Sequence, residues 1–88
     1  MTAELRVPNK KIHSLAVVLS TSPKATLVNA AFNRVTDLAD VKHTYESLQY
    51  LVLTHNPLTS LQHIQHFPNL KYLSISKTQI SDLSPLSQ

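Results

Sequence analysis

Aliphatic residues recur along this chain with two superposed spacings. Over Leu51–Leu53 and again over Leu73–Ile75, aliphatic residues stand two apart, around Val52 in one and Ser74 in the other, which is the period-two spacing of a strand. Past each such stretch the spacing widens to three, as in Leu58, Leu61, Ile64 and Phe67. The unit then begins again. Leu48, Leu51, Leu53, Asn56, Leu58 and Leu61 align with Leu70, Leu73, Ile75, Thr78, Ile80 and Leu83 at one offset of 22 residues. Five of these pairs are aliphatic and the sixth sets Asn against Thr. The phase continues backwards with one extra residue per repeat. Ala25, Val28, Ala30, Asn33, Val35 and Leu38 form an earlier copy, and Thr2, Leu5, Val7, Lys10, Ile12 and Leu15 a degenerate first one. Four repeats, at about residues 2–24, 25–47, 48–69 and 70–88, thus tile a single domain over 1–88.

The pattern predicts an α/β solenoid. The inward pairs Leu5/Val7, Val28/Ala30, Leu51/Leu53 and Leu73/Ile75 stack repeat on repeat into one core, because no repeat can bury its apolar face alone. Spacings of three or four between strands predict short helical or 3₁₀ turns: Leu15 with Val18, Leu38 with Val41 and Tyr45, Leu61 with Ile64 and Phe67, Leu83 with Leu86. Pro23 and Pro68 close such segments, and Pro57 falls in a bend. Asn33 and Asn56 sit where the chain turns sharply, and an amide there pairs backbone groups that the bend leaves free. Thr78 offers less at that place and Lys10 nothing, which predicts a weak first repeat.

This spacing resembles the leucine-rich repeat, LxxLxLxxNxLxxL, over essentially the whole chain. The period and the ending Ile80, Leu83, Pro85, Leu86 resemble its short subclass, typified by a phosphatase-regulatory subunit and found also in axonemal proteins, spliceosomal A-prime-type proteins and bacterial internalins. The resemblance implies about four repeats with a parallel concave β-sheet and short helical, 3₁₀ or loop segments on the convex side. It also implies a role in binding other proteins. Both ends read as unfinished: the first strand begins almost at Met1, and the last repeat stops at Gln88 within its return segment. Either the natural chain is longer or a partner caps the C-terminal edge, and truncation is the better fit.

Composition narrows the function. At 42% hydrophobic and 15% charged, with mean hydropathy near zero, the chain is a folded domain rather than a disordered tail. The longest apolar run, Leu15–Leu19, is too short to span a bilayer, so no membrane role is expected. Cysteine is absent, which removes disulfides, thiol nucleophiles and cysteine-ligated zinc, and the absence of glycine removes Gly-rich phosphate loops. His63 and His66 are three apart but have no third ligand nearby, so a surface pair is expected and no metal or other cofactor. Glu4, Asp37, Asp40, Glu46 and Asp82 show no paired placement suited to acid–base work, and no enzyme is predicted. The net charge of +3 comes from eight Lys and Arg dispersed along the chain against five Asp and Glu.

The candidate binding surface follows from the repeat register. One outward column holds Glu4, Leu27, Tyr50 and Tyr72, the next Arg6, Asn29, Val52 and Ser74. Beyond them come Pro8, Ala31, Thr54 and Ser76, then Asn9, Phe32, His55 and Lys77. Arg6, Leu27, Asn29, Phe32, Tyr50, Val52, His55, Tyr72, Ser74 and Lys77 are therefore the expected protein-binding residues of a concave face whose aromatic stripe suits an interface. The bland reading of Tyr50 and Tyr72 is that each covers the other across the ladder. The expected role is a protein–protein interaction module within a larger intracellular assembly, cytoplasmic or else nuclear or axonemal, of phosphatase-regulatory or cytoskeletal type. One alternative is a ribonucleoprotein scaffold, with Arg6, Lys71 and Lys77 meeting RNA while a tyrosine stacks a base. A second is a piece of an internalin-like surface adhesin.

Overall fold

The computed structural model describes residues 4–81. Strands β1 (Glu4–Arg6), β2 (Leu27–Asn29), β3 (Tyr50–Val52) and β4 (Tyr72–Ser74) form one parallel sheet in the order β1-β2-β3-β4. Sequence neighbours are thus spatial neighbours, and each of the first three coils comprises a strand, a bend and a return. The register pairs Leu5 with Val28, Val28 with Leu51, and Leu51 with Leu73, the inward set expected from the repeat. Backbone hydrogen bonds carry the ladder past each strand into the bend. Val7 N donates to Asn29 O, Ala30 N to Val52 O and Leu53 N to Ser74 O, at 2.8 to 2.9 Å. Two residues on, Asn9 N, Phe32 N and His55 N donate to Ala31 O, Thr54 O and Ser76 O.

The core is fullest in the two middle coils and extends into the first return through Leu15, Val18 and Leu19. Val28, Ala30, Val35, Leu38, Leu51, Leu53, Leu58 and Leu61 are all 0% exposed, sandwiched between a coil on either side. Their counterparts at the edges, Leu5, Val7 and Ile12 on one side and Leu70, Leu73, Ile75 and Ile80 on the other, are only half-buried. Leu83 and Leu86, expected to continue the last coil, and Thr2, expected to begin the first, lie outside the described residues.

The three described returns share an apolar spacing yet differ in form. The first is a helix, α1 (Leu15–Thr21), burying Leu15, Val18 and Leu19. Ser14 caps it: its hydroxyl oxygen accepts from Val17 N at 3.3 Å, while its proton goes to Asp40 in the neighbouring return. The second return makes no helix. The Asp37 carboxylate takes the Ala39 N–H at 3.0 Å, a local bond that competes with a helical turn, and Leu38, Val41 and Tyr45 still reach the core. The third contains a 3₁₀ turn, Ile64–His66, closed by Phe67 and followed by Pro68. Tyr45 and Phe67 meet between these returns with ring centroids 6.0 Å apart.

The bends are joined by an amide ladder that runs backwards along the stack. Asn33 Oδ1 accepts from Lys10 N and Ile12 N of the first coil at 2.9 and 3.0 Å, and its Nδ2 donates to Val7 O as well as to Ala30 O and Ala31 O. Asn56 does the same one coil later: it accepts from Val35 N and donates to Ala30 O, Leu53 O and Thr54 O. Each asparagine thus serves the coil before it. The expectation that Lys10 leaves the first bend unserved is therefore corrected, since the amide that bend needs comes from Asn33. Pro57 lacks the N–H that Arg34 donates to Ile12 O and Gln79 to Leu58 O at equivalent places. Thr59, through both its N–H and its hydroxyl, joins the third coil to Thr36 O instead.

Thr78 stands in the asparagine place of the fourth coil, and its hydroxyl bonds only Ile75 O of its own coil. An amide there would reach back to the third bend. Thr78→Asn should therefore raise the unfolding free energy by about 1 kcal/mol, the net worth of one added hydrogen bond. A urea midpoint unmoved or lowered by the change would show that the fourth coil cannot orient the amide.

Candidate functional site

Seven of the ten candidate residues, Arg6, Leu27, Asn29, Tyr50, Val52, Tyr72 and Ser74, share the outward face of the strands, because the parallel register repeats the same outward positions in every coil; Phe32, His55 and Lys77 follow in the bends. Leu27, Tyr50 and Tyr72 are successive register partners in the first column, with Glu4 at its edge. Arg6, Asn29, Val52 and Ser74 form the second. None of the ten is buried. Arg6, Phe32, Tyr50, His55, Tyr72 and Lys77 are exposed, and Leu27, Asn29, Val52 and Ser74 half-buried between their neighbours. Ala31 departs from its expected place on this face: it is buried beneath the bend, where Asn29 Oδ1 accepts its N–H at 3.1 Å.

The two tyrosines keep 41% and 55% of their surface in solvent and make no ring contact with each other. The ladder therefore leaves their rings free. Arg6 is differently placed. Its guanidinium sits 2.8 Å from the Glu4 carboxylate on the same strand, the one ion pair among the described residues. Exposed as it is, that pair is worth at most about 1 kcal/mol, but it neutralises the strand at that corner of the face. Thr54 and Ser74 share a hydroxyl hydrogen bond across the next rung, which ties Ser74 into the sheet.

The outermost column carries a feature the sequence pattern did not foretell. Asn9, Phe32, His55 and Lys77 all have left-handed backbone, with φ of 56°, 58°, 61° and 61°. Phe32 and His55 stack there, ring centroids 4.3 Å apart and planes within 11°. The signal was present as a constant offset of these positions from the asparagine ladder. It went unread because glycine, the usual marker of such a backbone, is absent.

Elsewhere, His63 and His66 stand side by side on the convex side with parallel rings 6.0 Å apart. No group of three His, Asp or Glu side chains converges among the described residues. No described helix is long and apolar enough to cross a membrane.

A family model described as leucine-rich repeats, in two copies, matches residues 46–88, which include β3, the 3₁₀ turn and β4. No curated protein and no solved structure matches the chain.

Proposed function

From the premise that the chain folds as a leucine-rich repeat solenoid, we propose that its concave face docks another protein within a larger intracellular assembly, of phosphatase-regulatory or cytoskeletal type. Leucine-rich repeats are non-catalytic modules that generally bind other proteins. The observation that supports this particular face is the exposure of Tyr50 and Tyr72 on adjacent rungs, beside Leu27 and Val52. Tyrosine brings a large apolar area and a polar tip at small entropic cost, which is why it is enriched in interface centres. A second surface lies at the edge of β4. Leu73, Ile75 and Ile80 are half-buried where their counterparts Leu51, Leu53 and Leu58 are buried, so a partner packing there removes further apolar area from water.

The test begins by isolating companions of the native chain from extract and measuring the affinity of the purified companion. Tyr50→Ala with Tyr72→Ala should weaken that complex by about 2–4 kcal/mol, the range of two central interface aromatics, with the unfolding midpoint unchanged. Unaltered affinity in the double variant discards the concave surface and leaves the edge.

A further inference from the structure

The bends form a ridge along one rim of the sheet, and cations gather there. Lys10 and Lys11 in the first bend, Arg34 in the second and Lys77 in the fourth are all exposed. None has a side-chain hydrogen bond or ion pair among the described residues. Lys11 and Arg34 occupy equivalent places in adjacent coils, and the backbone bond from Arg34 N to Ile12 O, at 2.8 Å, holds those coils together at that point. Like charges on adjacent rungs repel unless an anion lies between them. Asp37 and Asp40, the carboxylates nearest Arg34 along the chain, form no ion pair with it and accept from Ala39 N and the Ser14 hydroxyl instead, while Asp82, nearest Lys77, lies outside the described residues.

Phe32 lies between these cations, and no burial in the core accounts for a phenyl ring at that place. It is 55% exposed, so burial contributes little, and it holds a left-handed φ that costs an L-residue about 1–2 kcal/mol. Its ring meets His55 on one side only, because the neighbours of the pair along the column, Asn9 and Lys77, are not aromatic. An exposed ring pair, bordered by cations that have no ion pair among the described residues, is an arrangement suited to taking a base by stacking and its phosphates by charge. An acidic peptide satisfies the cations but needs an aromatic side chain at the right spacing to use the rings, whereas every nucleotide carries both a base and a phosphate.

We propose that the bend ridge binds single-stranded nucleic acid, with Phe32 and His55 as the stacking platform and Lys10, Lys11, Arg34 and Lys77 as the phosphate contacts. This site is separate from the concave tyrosines.

The test is fluorescence anisotropy of a short labelled oligouridylate RNA with the 88-residue chain. Four phosphate contacts on a single strand predict that affinity falls about 50-fold between about 50 and 200 mM salt. In Lys11→Gln with Arg34→Gln the same salt interval should change affinity only about sevenfold. Phe32→Asn keeps the fold, since Asn accepts left-handed backbone, and should weaken binding roughly tenfold through the lost stack. Tyr50→Ala with Tyr72→Ala should bind RNA as the unaltered chain does. Absence of binding at the lower salt, affinity indifferent to salt, or an unchanged Phe32→Asn variant each overturns the site. So does loss of RNA binding in the tyrosine double variant, or an oligoglutamate that displaces the RNA at equal charge concentration.

Discussion

Asn56→Ala should destabilise the chain by about 3–5 kcal/mol, because it strands several backbone groups at once in a place water cannot reach. The side chain is 2% exposed and satisfies Val35 N, Ala30 O and Leu53 O, with a longer bond to Thr54 O. A buried group left without its partner costs about 1–3 kcal/mol, and a domain this small has only about 4–13 kcal/mol in total. At the low end of that range the loss leaves much of the variant unfolded at room temperature, and at the high end it lowers the urea midpoint of a folded chain. Thr78→Ala removes one bond in the half-buried last coil and should cost about 1 kcal/mol. Urea unfolding followed by circular dichroism checks both. Similar midpoints for the two variants would contradict the view that the amide ladder joins successive coils.

A comparable loss, about 3–5 kcal/mol, is expected for Leu51→Ala, which opens a cavity where coils close from both sides. Its register partner Leu73 provides an internal control of the same residue type. Leu73 is already half-buried, so less apolar surface is lost and the surroundings can relax; the expected cost of Leu73→Ala is about half as large. Unfolding free energies of the two variants decide the matter. Equal losses would mean that Leu73 is as fully packed in solution as Leu51.

Much of this architecture was legible because a solenoid converts sequence offset directly into spatial equivalence. The constant spacing of Leu51 and Leu73 is the register of β3 and β4, and the outward columns follow from it by alternation alone. Three properties were not legible, each for a physical reason. The offset aligns Asn33 with Asn56 but does not say towards which neighbour an amide points, so the service of the first bend by Asn33 was missed. The returns share one apolar spacing, and what separates α1 from the loop after β2 is local: a Ser14 cap in one and an Asp37 turn in the other. The Phe32–His55 stack depends on left-handed backbone at residues that adopt it at a cost, and residue type argued against it.

The left-handed residues of that column, with Lys11 and His63 outside it, have a consequence for the unfolded chain. Asn9, Lys11, Phe32, His55, His63 and Lys77 all hold positive φ in a sequence without a single glycine. Glycine at those places would relieve the native backbone, but it would also enlarge the set of conformations the denatured chain explores, by about 0.4–1 kcal/mol for each residue. The substituted positions confine that ensemble instead. Part of what the bends lose in local strain is thus returned as a smaller entropy of disorder, so the net cost of each left-handed residue is less than its native backbone alone would imply.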